Sequence, residues 1–372
     1  MIRARVVVCV ALPALTTVGA VAQATPRLAA QYGQNCQLCH VNPTGGGMRT
    51  SYLSQFIAPS ELAWKPLPAH DQSRFPKPQI NDQISVGTDL RLLYLGTNNT
   101  TTNAGKLDNT FFQMQGDVYL AFQPDPQFLI YLDKGLYGGF ETFAQARILS
   151  AHGYLKAGQF VPDLGWRWDD HTHFTREKLG LGFPGATDAG VEVGINPGPL
   201  VATAGVFNGA SGGMFDADRY KAIVSRFLYR WRIRRLQAAL GGSTRWNRTA
   251  DLRERLWGIQ GQASWGPLSY TGDVYWQGLD SVANSGPRNW SLVLTEEVVY
   301  RAHRGLELYI GYDFRDPDLD RATGAQYYVT FGSRLYPRHF LSIEPMYRLA
   351  YGPLDNGGRY DNRFQVILHA FY

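Results

Sequence analysis

The chain has few cysteines, few charged residues and no long apolar run that could form a bundle of transmembrane helices. Only 3 of its 372 residues are cysteine, which excludes a scaffold held together by many disulfides. Charged residues make up 18% of the chain, so a highly charged, disordered protein is also excluded. The mean hydropathy is −0.25, which is too low for a protein built from membrane-spanning helices. No tract rich in lysine and arginine stands apart from a strand pattern, so we expect no nucleic-acid partner.

Aromatic residues and glycines are abundant instead. Phe, Trp and Tyr make up 13% of the chain, and 40 residues are glycine. Transmembrane β-barrels combine apolar and aromatic side chains facing the lipid with polar side chains facing the interior. The composition therefore favours a β-barrel.

The N-terminus has the layout of an export signal. Met1–Arg5 is short and basic, Val6–Ala22 is apolar, and Ala22-Gln23-Ala24 fits a small-residue cleavage site. We predict that residues 1–24 are a signal peptide, with a membrane anchor as the alternative. Cys9 lies inside this segment, so the exported chain would keep two cysteines.

Those two cysteines form the pattern C-x-x-C-H, as Cys36-Gln37-Leu38-Cys39-His40. This is the attachment pattern of haem c. Thiols three positions apart on a helical turn share one side and can bond to the two vinyl groups of one haem, while the following histidine ligates the iron. We predict one covalent haem c on Cys36 and Cys39, with His40 as axial ligand, in a segment spanning residues 25–80. A disulfide, a redox-active cysteine pair and half of a zinc site are the alternatives.

The second axial ligand of the iron has four candidates. His70 lies in a proline-rich linker 30 residues after His40, and we rank it first because the chain between them is long enough to pass around the haem. Met48 is only 8 residues from His40, which makes the opposite haem face hard to reach. His171 and His173 lie in the longest predicted loop and would reach the iron if the haem sits inside a barrel.

Residues 81–372 read as a series of alternating segments of 9–15 residues. One of them places even-numbered, mostly apolar residues from Phe112 to Phe122 on one face and odd-numbered residues from Gln113 to Tyr119 on the other. Seven short connections alternate with eight longer ones, which gives sixteen strands. We predict an all-β, outer-membrane antiparallel β-barrel of about sixteen strands, preceded by the small haem c segment and surrounded by outer-membrane lipid. A soluble β-sandwich or propeller is the alternative.

Two polar features are expected near the lumen. The longest connection, residues 161–187, follows the fifth strand and carries several tryptophans and charged residues. It is the third long loop, which in porins often folds inward, although a solvated surface loop is the alternative. Arg230, Arg232, Arg234 and Arg235 cluster near a short turn predicted at Trp231-Arg232, where they would line the lumen or contact lipid headgroups.

The stretch Thr25–Gly33, the motif Cys36–His40 and Pro43, followed by a barrel, together resemble the fused monohaem cytochrome–porins. These are outer-membrane proteins associated with iron oxidation and extracellular electron transfer. The likeness covers the layout of the whole exported chain, but only about twenty positions by residue. Gly45-Gly46-Gly47 departs from the longer aromatic and basic continuation of that family, so the electron donor stays open.

The resemblance implies an outer-membrane electron conduit with iron oxidation as one candidate activity. Its haem would pass electrons between periplasmic c-type cytochromes and an extracellular donor or acceptor, such as ferrous iron or a multihaem cytochrome. The haem segment would lie in the periplasm or inside the lumen. The alternatives are a diffusion porin, or the porin scaffold of a porin–cytochrome complex, whose haem segment is a plug or a docking site.

Overall fold

The computed structural model describes most of the chain from residue 28 onward. The predicted signal peptide and His70 lie outside the described residues. The described ranges are 28–30, 34–67, 77–98, 107–135, 140–181, 186–210, 215–216, 218–282, 289–321, 323–353 and 362–372.

The described residues form sixteen antiparallel strands that close into one barrel, because β1 pairs with both β2 and β16. This confirms the predicted fold class and strand number. The first strand begins at Ile84, close to the predicted boundary at residue 81. The strands are β1 Ile84–Asn98, β2 Leu107–Asp125, β3 Phe128–Gly135, β4 Phe140–Leu149, β5 Gly153–Phe160, β6 Asp188–Ile195, β7 Leu200–Phe207, β8 Ala222–Ile233, β9 Leu236–Arg248, β10 Leu252–Trp265, β11 Leu268–Ser281, β12 Asn289–His303, β13 Leu306–Asp316, β14 Gln326–Arg338, β15 Leu341–Tyr351 and β16 Arg363–Phe371.

The strands are apolar outside and polar inside, which is the reverse of a soluble protein and typical of a transmembrane barrel. On β2, Val118 is 65% exposed, whereas its neighbours Asp117 and Tyr119 are buried in the interior. The uninterrupted alternation predicted from Phe112 onward is wrong in one respect. A register shift on β1 opposite Gln113 and Gln115 leaves Met114 as an extra residue. The faces exchange at this bulge, so that Phe112 pairs with the buried Leu93, whereas Phe111 is 69% exposed.

One end of the barrel, at which β1 begins, carries short turns, and we call it the turn end. The opposite end, the loop end, carries the longer connections. The turn predicted at Trp231-Arg232 lies instead at Arg234-Arg235, because β8 continues to Ile233, which pairs with Leu236. Arg234 adopts a left-handed φ of 54° there, which closes the turn without the glycine that the sequence pattern would require.

The chain before β1 is compact in its described part, residues 34–67, which we call the N-terminal segment. It contains a 3₁₀ turn at Cys36–Leu38 and a π-helix at Leu53–Leu62 that includes Pro59. A short α-helix, α1 at Phe174–Glu177, lies in the connection between β5 and β6. Within the described ranges, no helix combines the length and the apolar character needed to cross a membrane.

The N-terminal segment packs against the inward face of several strands. The Asn42 amide donates to Glu141 Oε2 on β4 at 3.2 Å, and Arg49 Nη2 lies 3.0 Å from Asp89 Oδ2 on β1. Near the turn end, the backbone N–H of Trp64 donates to the carbonyl of Tyr336 on β14 at 2.8 Å. The segment therefore makes contacts on widely separated parts of the barrel wall.

Candidate cofactor site in the barrel lumen

The C-x-x-C-H motif forms a single tight turn. The N–H groups of Cys39 and His40 both donate to the carbonyl of Cys36, at 3.1 and 2.9 Å. Residues at i and i+3 of such a turn lie on one side, and both thiols are free rather than joined in a disulfide. The chain then folds back, so that His40 pairs with Arg49 in an antiparallel bridge and the N–H of Val41 donates to the carbonyl of Met48.

Cys36, Cys39 and His40 line the same cavity, a space of about 600 Å³ that is open in part to solvent. Trp166 and Arg226 line it from other parts of the structure. Two free thiols and an imidazole on one open space are the donor set that a covalently attached haem requires.

The glycine triplet after the motif shapes this cavity. Gly45, Gly46 and Gly47 all have left-handed φ values, of 90°, 75° and 62°. A Cβ at Gly46 would meet only the flexible end of the Arg167 side chain, whereas a Cβ at Gly47 would clash with the hydroxyl of the fully buried Tyr131. The left-handed backbone of the triplet and the close approach of Tyr131 thus favour glycine here.

The environment of Cys39 disfavours a redox-active cysteine pair. Burial, with a further contribution from Cys36, raises the pKa of the Cys39 thiol to about 12. Thiols of redox-active pairs have lowered pKa values, because the thiolate is the nucleophile. Among the described residues, no group of three or more His, Cys, Asp and Glu side chains could hold a metal ion, which gives no support to a zinc site.

The connection between β5 and β6 folds into the barrel, as one of the two alternatives predicted. The indole N–H of Trp166 donates to the carbonyl of Gly272 at 3.0 Å, and that of Trp168 donates to Asp273 Oδ1 at 3.1 Å. Asp170 Oδ2 lies 2.8 Å from Nη2 of Arg348 on β15. We call residues 161–181 of this connection the inward loop. It brings two tryptophans and two histidines towards the N-terminal segment.

His40 faces two more spaces that reach this loop. A space of about 930 Å³, open in part to solvent, is lined by both His40 and His173. Another, of about 940 Å³, is lined by His40 and His171. The structure thus brings three of the predicted haem-site histidines to one connected part of the interior.

The candidate axial ligands have different surroundings. His173 Nδ1 lies 3.0 Å from Asp313 Oδ2 on β13. Burial, followed by the charges of Arg176 and Arg91, lowers the pKa of His171 to about 3, so its imidazole is neutral at pH 7. Met48 is 1% exposed and packs in a cluster of buried apolar residues that includes Tyr119 and Tyr131.

The predicted arginine cluster divides between two environments. Arg230 is buried and donates to Asn35 just before the Cys36–His40 turn, whereas Arg232, Arg234 and Arg235 are exposed at the turn end. Arg226 was missed by sequence reasoning. Its Nη1 lies 2.9 Å from Asp163 Oδ1, and its guanidinium lies 4.8 Å from the ring centre of Trp166. Alternation along β8 places Arg226 on the inward face, and this pattern could have identified it from the sequence.

Comparison with known proteins shows similarity in fold to porins. No model of a protein family and no curated protein matches the chain. A structure of OmpT from Vibrio cholerae is 13% identical, covers 79% of this chain and 99% of its own, and has a TM-score of 0.56. An anion-selective porin from Comamonas acidovorans is 12% identical over 78% of this chain and 99% of its own, with a TM-score of 0.53. The channel DcaP of Acinetobacter baumannii is 14% identical over 78% of this chain and 97% of its own, with a TM-score of 0.54. At these identities the similarity shows the fold alone.

Proposed function

We propose that this protein is an outer-membrane barrel of the porin type whose N-terminal segment plugs the lumen. The apolar outward face and the fold similarity to outer-membrane porins support this location. The turn end would face the periplasm, because outer-membrane barrels have short turns there and longer loops outside. The outward side chains would contact outer-membrane lipid.

The observation that carries the plug is the pairing of wall charges with the N-terminal segment. The side chain of Asp89 is 5% exposed in its contact with Arg49. The side chains of Glu141 and Lys156 are 4% and 0% exposed, and both contact Asn42. In an open channel such charges face water. Here Arg49 and Asn42 of the N-terminal segment add to partners from the rest of the barrel, such as Glu192 at 2.7 Å from Lys156 and Arg167 at 3.2 Å from Glu141. The burial of these charges beneath the segment, instead of contact with water, supports a filled lumen.

We further propose that the plugged barrel transfers electrons through one haem c, because Cys36, Cys39 and His40 line a shared cavity. The two thiols would hold the haem covalently, and the imidazole of His40 would bind its iron. The haem would supply an iron that cycles between ferrous and ferric states. The surrounding protein would exclude water and hold the imidazole in place. Periplasmic c-type cytochromes would be the partners on one side, with ferrous iron or multihaem cytochromes on the other.

Two measurements on the detergent-purified protein test these proposals separately. The first is covalent haem per chain, from a pyridine haemochrome spectrum after acid–acetone extraction, with expression in a host that matures c-type cytochromes. The second is ionic conductance in planar bilayers. One retained haem and little conductance are the expected results. No retained haem would refute the electron conduit and leave the plug standing, whereas steady open-channel current would refute the plug.

A further inference from the structure

We propose that Nε2 of His173, on the inward loop, is the second protein ligand of the haem iron, opposite His40. This inference rests on the proposed attachment of haem c at Cys36 and Cys39. It assigns the ligand to a loop of the barrel rather than to the N-terminal segment. The barrel would therefore be part of the haem site and not only its container.

Position is the first support. His40 and His173 line one space of about 930 Å³. That space joins the cavity of the two cysteines, because Leu28, His40 and Asp169 line both. A group attached at Cys36 and Cys39 and ligated by His40 would thus lie beside the space that His173 lines.

The hydrogen bonding of the His173 ring is the second support. Its Nδ1 contacts both carboxylate oxygens of Asp313, at 3.1 and 3.0 Å. Asp313 Oδ1 also accepts from the N–H of Phe174 at 3.0 Å and from the hydroxyl of Thr295 at 2.6 Å. The carboxylate is thereby fixed, and it holds the histidine with its proton on Nδ1. Histidines that bind metals commonly have such a carboxylate on their other ring nitrogen, which orients the ring and leaves Nε2 as the ligand.

The backbone around His173 is held on both sides. On one side, Asp170 pairs with Arg348 at 2.8 Å. On the other, the hydroxyl of Thr175 donates to Thr295 at 3.1 Å. The ring itself is 5% exposed and lies 5.1 Å from the Trp168 ring, centre to centre. A ligand held this firmly needs little further ordering when it binds.

The other described candidates lack this arrangement. Met48 pairs with Val41, one position along the bridge from His40, so the two side chains project from opposite faces of the ladder. Met48 also packs among Tyr119 and Tyr131 in a buried cluster. Within the described residues, the structure gives His171 no hydrogen bond to a carboxylate.

The test compares spin states of the purified, full-length haem protein. Covalent haem is first quantified in every preparation, so that a loss of attachment is distinguished from a loss of the second ligand. We expect wild-type protein to be low-spin, with near-infrared magnetic circular dichroism typical of two histidine ligands. His173→Ala should lose the low-spin spectrum and regain it with added imidazole, whereas the matched controls His171→Ala and Met48→Leu should stay low-spin.

Two further variants do not depend on removing the ring. His173→Met should stay six-coordinate, acquire a histidine–methionine spectrum and raise the reduction potential. Asp313→Asn should keep the bis-histidine spectrum and also raise the potential, because a carboxylate partner makes the imidazole a stronger donor. Protein that retains haem but is high-spin or histidine–methionine ligated as wild type would overturn the proposal. So would a His173→Ala protein that stays low-spin, or a spin change in His171→Ala alone.

Discussion

Arg49→Met should loosen the N-terminal segment from the barrel wall. Arg49 Nη2 lies 3.0 Å from Asp89 Oδ2, and its guanidinium lies 4.5 Å from the ring centre of Phe371. Methionine keeps much of the apolar volume but removes the charge. Asp89 would retain His369 Nε2 at 2.6 Å and the more distant Nε of Arg91 at 3.6 Å.

The remaining partners limit the cost. Hydrogen bonds to charged groups contribute about 1.5–3 kcal/mol each, and partial compensation by His369 and Arg91 favours the lower half of that range. We therefore expect a loss of about 2 kcal/mol, which corresponds to roughly a thirtyfold rise in the population with the segment released. This applies if release breaks the Arg49–Asp89 contact while the barrel remains intact.

Hydrogen exchange and single-channel recording measure that population. Amides of the bridge between residues 40 and 49 should exchange about thirtyfold faster in Arg49→Met, and open-channel events should become more frequent by a similar factor. Arg235→Met, on an exposed turn residue, is the matched control and should leave both unchanged. Equal exchange in the two variants would contradict a stabilising contact at Asp89, and continuous current in the wild type would contradict the plug itself.

Three other predictions follow from the geometry. In haem-free protein near neutral pH, alkylation should modify Cys36 but not Cys39. The pKa of the Cys39 thiol is about 12, so this thiol stays neutral until the pH approaches that value. Rapid labelling of both cysteines near neutral pH would contradict the burial of Cys39. Gly165→Ala should destabilise the barrel by about 1–3 kcal/mol more than Gly180→Ala. Both glycines have a left-handed φ, but only Gly165 lies against the Tyr275 hydroxyl. The heat-induced mobility shift in electrophoresis measures the difference. Val118→Arg, on the outward face of β2, should cost about 2–4 kcal/mol in folding into lipid, with Val118→Ile as a near-neutral control; equal stability would show that this face does not meet the membrane interior.

The barrel could be predicted from the sequence because its signals are local. Alternation along each strand and the order of short and long connections gave the correct strand number. The bulge at Met114 was missed because Phe111 and Phe112 are both apolar. Either residue could continue the apolar face, so the sequence does not reveal the register shift. The turn at Arg234-Arg235 was misplaced by three residues because it contains neither glycine nor proline.

The contacts between the N-terminal segment and the wall could not be predicted in the same way. Asn42 and Glu141 are 99 positions apart, and Arg49 and Asp89 are 40 apart. Alternation identifies Asp89 and Glu141 as inward residues, but it does not say what lies opposite them. The same holds for His173, whose partner Asp313 is 140 positions away. The sequence motif predicts a haem. Which residues would surround it depends on how the closed barrel brings distant parts of the chain together.

The inward charges connect the plug with the haem site. Asp89 and Glu141 contact the N-terminal segment, whereas Asp313 and Arg348 contact the inward loop. All four side chains are at most 5% exposed. Two chain segments thus approach each other from different parts of the wall, and each is held by buried charges. If His40 and His173 ligate one iron, their two bonds to it would join the two segments directly. Haem attachment should then also slow amide hydrogen exchange at the bridge between residues 40 and 49. If haem-free and haem-bound protein exchange these amides at the same rate, the plug does not depend on the haem site.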